Sequence, residues 1–291
     1  MITPRQTRLV RASDLHAFRS TVASLVSQHR EAFAERPLII VPTQAAARHL
    51  ERTLQLAVAM PDLKVGPTAE TQATYEPQPS LAITREELYD ALQARLAAPP
   101  KRLNAFEREA LMQAAAQAQP QDLPFAIRPG LVAEMVRFYD LLRRNMQSVA
   151  RFEELMADAL GGSDVDRGAQ RLRRQTSFLA AAFRHYEQAA DASGACDEHA
   201  LRARLLSETP VHPVHSIIVT VSDWIGEPDG LFVADFDLLA RLPQLKRIDL
   251  VCTETVLGSG FHERVHGWWP ASRKRRPRTR YQNVRTSVRG W

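Results

Sequence analysis

One stretch constrains the fold more than any other: Arg36 to Arg52, Arg-Pro-Leu-Ile-Ile-Val-Pro-Thr-Gln-Ala-Ala-Ala-Arg-His-Leu-Glu-Arg. Leu38–Val41 is a short, unbroken aliphatic run, which suits a strand buried on both faces of a parallel sheet. Pro42 has no N–H to give to a ladder and ends the strand. Thr43 is a good N-cap for a helix opening at Gln44. Strand, sharp turn and helix N-terminus make a βα unit whose corner presents unsatisfied N–H groups. An anion suits such a corner, and phosphate is the expected one. Thr43 adds a hydroxyl, and Arg48 and His49 follow about a turn later. An ordinary crossover with an empty corner has the same spacing.

The rest of the chain predicts α/β architecture with a helical insertion. Thr7–Arg11 is a short strand, and Ser13 is placed to cap a helix reaching Phe33, with Leu15, Phe18, Val22, Leu25, Val26 and His29 as its stripe. Residues 60–80, rich in Pro, Thr and Gln, suit a surface loop. Helices then follow one another. Thr84 with Glu87, and Asn104 with Glu107, are capping boxes. Pro129 opens a helix with Leu131, Met135, Phe138, Leu142 and Met146 on one face. Further helices are expected over 149–160, from about Asp166 to Gly194 with Leu172, Leu179, Phe183 and Tyr186 inward, and from an Asp197 cap to Leu206. Strand character returns at His215–Val221 and Arg247–Thr253, around a helix over Leu231–Leu242. The predicted division is 1–80 and 211–260 in one sheet, 81–210 as an all-α lobe, and 261–291 as an irregular basic tail.

Composition narrows the class. The chain is 45% hydrophobic and 24% charged, ordinary for a globular protein. No apolar run approaches membrane-spanning length and no signal-peptide core opens the chain, so the expected setting is the cytoplasm, with no membrane partner. Cys196 and Cys252 are far apart and lack metal-ligand spacing, which fits two packed thiols in a reducing compartment. The formal net charge is +5, but residues 271–291 hold eight Lys or Arg and no acid, leaving −3 on the rest. The body is therefore not a basic nucleic-acid binder by bulk charge. That tail, Arg-rich and without period, suits disorder or an out-of-frame product.

Several constellations bear on chemistry. A phosphate-gripping loop after the first strand would need glycines and a lysine. Here the connection is Ala12-Ser13-Asp14, and no glycine precedes Gly66. ATP hydrolysis at that corner is not expected. Asp223, at the end of a strand, occupies the place of a magnesium-binding acid in α/β folds. Asp197-Glu198-His199 resembles a ligand cluster, but adjacent helical residues point apart, and N-cap plus first-turn acid is the reading. The arginines Arg137, Arg143, Arg144, Arg171, Arg173, Arg174 and Arg184 are expected to be solvated faces, with contact to a nucleic-acid backbone as the alternative. His262-Glu263-Arg264-Val265-His266 matches the zinc-hydrolase pattern H-E-x-x-H, with His262, Glu263 and His266 as the metal alternative. No His, Asp or Glu follows to supply a third ligand, and Arg264 sets a cation beside the site.

The order strand, helix, Val-Pro-Thr-x-Ala-Ala-Ala-Arg-x-Leu, helical insertion, Val-Ser-Asp-Trp, helix, strand resembles the N-terminal part of AddB-like subunits of bacterial helicase–nuclease complexes, of the PD-(D/E)XK nuclease family. The similar segments include Leu38–Leu50, Thr84–Leu96, Arg128–Arg144, Asp197–Leu206 and Val219–His262. The resemblance implies a superfamily-1 helicase-like, P-loop-derived parallel sheet carrying an all-α lobe, with the 41–44 corner at the single-strand backbone. Thr43, Gln44 and Arg48 would be the DNA-binding residues, and Asp223 a vestigial Walker-B-like acid. It implies a role in double-strand-break repair and recombination, with DNA, single-stranded or as duplex ends, and a helicase subunit of AddA/UvrD type as partners. Magnesium and, in some members, an iron–sulfur cluster belong to a nuclease domain that this sequence lacks, so no cofactor and no catalytic residue is expected here. On that comparison the chain is expected to be truncated.

Overall fold

The computed structural model describes residues 6–59, 82–119, 126–160, 167–221 and 230–256. In order, the elements are β1 (Gln6–Ala12), α1 (Leu15–Phe33), β2 (Leu38–Ile40), α2 (Gln44–Ala59), β3 (Ala82–Ile83), α3 (Arg85–Gln93), α4 (Ala105–Gln117), α5 (Pro129–Arg144), α6 (Val149–Leu160), α7 (Arg167–Ala192), α8 (Glu198–Ser207), β4 (Ser216–Thr220), α9 (Val233–Arg241) and β5 (Arg247–Thr253). The five strands form one parallel sheet in the order β1-β5-β4-β2-β3. The protein is thus α/β.

Alternation along the strands divides the core. Ile39, Val41, Ile218 and Val251 face α1 and α2, meeting Val22, Leu25, Ala47 and Leu50. Ile40, Ile217, Val219, Ile248 and Leu250 face the opposite layer, with Leu88 and Leu92 of α3, Leu201 and Leu205 of α8, and Phe236 and Leu239 of α9. Both faces are covered, which explains why β2 and β4 are continuous aliphatic runs. β3, α3 and α8 all come from the 81–210 stretch, yet they belong to the sheet and its cover. The separately packed helices are α4–α7, around Met112, Met135, Tyr139, Phe178, Phe183 and Tyr186. The chain enters and leaves that lobe through a neck where Leu103 N donates to Cys196 O at 2.9 Å and Cys196 N to Lys101 O at 2.9 Å.

Caps and helix faces depart from the sequence reading in places, and Leu15 of the expected α1 stripe is 59% exposed. The cap of α1 is Asp14, not Ser13: its carboxylate accepts from Ala17 N at 2.8 Å, and Ser13 instead donates to Asp14. A carboxylate is a stronger acceptor at a helix N-terminus than a hydroxyl. The buried face of α5 is rotated from the expected stripe. Val132, Met135, Val136 and Tyr139 are buried, whereas Met146 lies beyond the helix with positive φ and is 45% exposed. Leu172 on α7 is likewise 41% exposed, while Phe178, Phe183 and Tyr186 go inward. Both capping boxes formed as the spacing predicted. Among the described residues, no helix is long and apolar enough to cross a membrane.

Candidate nucleic-acid interface

The direction of the crossovers locates the site. From β2 the chain moves outward through α2 to β3, its neighbour on one side. From β4 it moves the other way through α9 to β5. β2 and β4 are adjacent in the sheet, so the order reverses between their C-terminal ends. In open α/β sheets that reversal opens a crevice at which ligands bind. The Pro42–Thr43 corner lies at this reversal, and beside it the Thr220 hydroxyl at the end of β4 donates to Ile40 O at 2.8 Å and ties the two strand ends together.

The corner has the geometry its sequence implies. Val41 N still bonds Ile83 O at 2.9 Å, and Pro42 then takes the chain out of the ladder. Thr43 Oγ1 accepts from Ala46 N at 3.2 Å, capping α2. The amides of Gln44 and Ala45 have no acceptor among the described residues. Thr43, Gln44 and Arg48 are all exposed, and Arg48 forms no ion pair there. One feature was not legible in sequence: Gln44 Nε2 donates to Glu87 Oε1 at 2.5 Å, reaching the capping box of α3. Its side chain is engaged, and its contribution to a ligand at the corner would come from the backbone N–H. Backbone hydrogen bonding from Thr84 holds the Glu87 carboxyl below its ordinary range. Arg19 of α1 donates to His49 Nε2 at 2.5 Å, joining α1 to α2 beside Arg48.

The equivalent corner after β1 is different in kind. β1 lies at the sheet edge, and the N-terminus of α1 is occupied by the Asp14 carboxylate. A phosphate arriving there would meet like charge where the amides are already bonded. Asp223 lies outside the described residues, as do His262, Glu263, His266 and the basic tail.

Sequence reasoning missed a buried ionic cluster on the same rim. Arg85, the first residue of α3, is 4% exposed. Its Nε donates to Asp235 Oδ2 at 2.6 Å and its Nη1 to Glu198 Oε2 at 3.1 Å. Glu198 also accepts from Arg144 Nη2 at 2.8 Å, and Tyr89 OH donates to Asp235 Oδ1 at 2.7 Å. Two guanidiniums, of Arg85 and Arg144, each lie over the Phe232 ring with Cζ 5.0 Å from its centroid. Burial opposes ionisation of Glu198, but the hydrogen bonds from Arg85 and Arg144 prevail and hold its carboxyl well below the usual range. His199, next along α8, turns the other way and donates from Nε2 to Asp140 Oδ1, 2.9 Å away. Asp140 is also held by Arg108 of α4. So Asp197 is the N-cap, as read, while Glu198 and His199 point to the sheet and the lobe respectively. Elsewhere, buried Asp249 of β5 receives His29 at 2.6 Å and Arg8 at 2.6 Å. The only sequence signals were charged or imidazole residues at positions that periodicity assigns to the core.

The lobe arginines divide. Arg137, Arg143, Arg144 and Arg184 pair with Glu134, Glu187, Glu198 and Glu153, and Arg173 donates to Leu160 O. Arg144 is therefore part of the core junction and not a solvated face. Arg171 and Arg174 are exposed and form no ion pair among the described residues. Also among the described residues, no group of three or more His, Cys, Asp or Glu could hold a metal ion.

Compared with protein-family models the chain gives no match, and a comparison with curated proteins gives none either.

Proposed function

We propose that this chain is a helicase-like DNA-binding domain that does not hydrolyse nucleotide. In this reading it is the N-terminal portion of an AddB-like subunit acting in double-strand-break repair, alongside a helicase subunit of AddA/UvrD type, with nuclease chemistry supplied elsewhere. Single-stranded DNA lies over the β2–α2 corner. The Thr43 hydroxyl, the Gln44 and Ala45 amides and the Arg48 guanidinium meet successive backbone oxygens without reading bases.

The observation that carries this reading is the contrast between two βα corners of one sheet. The corner after β1 is at the edge and stoppered by Asp14. The corner after β2 is at the switch point, capped by a neutral hydroxyl, with exposed and unpaired Arg48 a turn away. Phosphate is repelled by the first arrangement and attracted by the second.

Fluorescence anisotropy with a labelled single-stranded oligonucleotide tests the assignment. Arg48→Ala in the full chain should weaken binding severalfold at low salt, uniformly across base sequences. It should also reduce the slope of log affinity against log salt by about 0.7, the value for one single-strand phosphate contact. Unchanged affinity and slope would remove the corner from the interface.

A further inference from the structure

The first two turns of α7 carry a line of cations that have no carboxylate partner among the described residues. Arg167, Arg171 and Arg174 are spaced four and three apart, so they share one helix face over about 10 Å. All three are exposed, and none forms an ion pair among the described residues. Every other arginine on α4–α7 is tied to a carboxylate or, for Arg173, to a carbonyl. The neighbouring acids of α6 are mostly committed: Glu153 to Arg184 and Glu154 to Arg151, leaving Asp158. Asp164 and Asp166, which precede α7 in sequence, lie outside the described residues. Within α7 no acid occurs before Glu187, and the first turn holds none.

This arrangement works against the helix that bears it. The N-terminus of a helix is its positive end, so Arg167 in the first turn stands against the dipole and costs α7 some stability. An anionic partner removes that cost. The row of guanidiniums along one straight, exposed line fits a repeating anion better than a single carboxylate, because each can take a separate phosphate with a forked pair of hydrogen bonds.

We propose that the Arg167–Arg171–Arg174 face of α7 is a second contact for a nucleic-acid backbone, on the helical lobe and separate from the β2–α2 corner. The choice of nucleic acid over an acidic protein rests on the function proposed above. The lobe then guides the strand by charge alone, with salt-sensitive affinity and no base preference.

The test uses the full chain and a labelled single-stranded oligonucleotide long enough to reach both faces. Replacing Arg171 and Arg174 by Ala should weaken binding about tenfold at low salt and lower the salt slope by about 1.4, two contacts at about 0.7 each. The Arg171→Lys, Arg174→Lys variant should restore most of the slope, which a purely structural role would not predict. Circular dichroism should show helix content retained, since both residues are exposed. If only Arg48→Ala weakens binding, the α7 contact is wrong and the corner stands. If only the α7 variant weakens it, the corner fails and the α7 contact stands. A chain that retains no oligonucleotide at low salt overturns both, and an acidic protein then becomes the partner to seek for α7.

Discussion

At the scale of single residues, the charge cluster at Glu198 sets the pH response. Glu198 is a carboxylate with two guanidinium partners and almost no water, so it stays ionised to lower pH in the folded chain than in the unfolded one. Its folded pKa lies below the ordinary 4.5. The stabilisation is therefore complete above about 4.5 and drains away as pH falls below that value. The expected outcome is that Glu198→Gln lowers the denaturation midpoint at pH 7, and that the gap from the parent chain narrows in the pH 3–4.5 range. A gap that stays constant with pH would mean Glu198 stabilises by packing and not by charge. Arg85 is the more damaging position in the same cluster, because its removal leaves buried Asp235 without its cation and Glu198 with Arg144 alone.

At the scale of elements, caps and turn residues explain where helices stop. Just past the end of α7 at Ala192, Gly194 has φ +70° and no atom within 4 Å of where a Cβ would sit. The cost of Gly194→Ala is thus conformational and not steric, about 1 kcal/mol. Urea unfolding should show that loss with an unchanged m value. A neutral result would mean the turn relaxes out of the left-handed region. α8 shows how one element serves two cores. Asp197 caps it, Glu198 bonds to Arg85 beneath the sheet's cover, and His199 bonds to Asp140 in the lobe. Three consecutive residues look in three directions because each step around a helix is about 100°.

At the scale of the whole molecule, neck, α8 and the ionic cluster tie the lobe to the sheet. The two thiols report on that union. Burial pushes Cys252 up to about 11, and it likewise raises Cys196 at the neck. Neither should react with a disulfide reagent at pH 8 in the folded chain. Under rising urea both should become reactive with the same midpoint, because they belong to one continuous core. Two separated midpoints would show that the neck opens before the sheet.

The order of strands and helices was legible in the sequence, because periodicity, prolines and capping residues are local signals. The buried β2 run, both capping boxes, the Thr43 cap and the strand Arg247–Thr253 all follow from residues that lie next to one another. Which strand neighbours which is not a local property. Only the folded sheet set β2 beside β4, put β1 at the edge, and so placed one of two similar corners where the strand order reverses. The same holds for charge: α7's arginines look alike in the sequence, and only tertiary packing decides which find a carboxylate and which are left facing water.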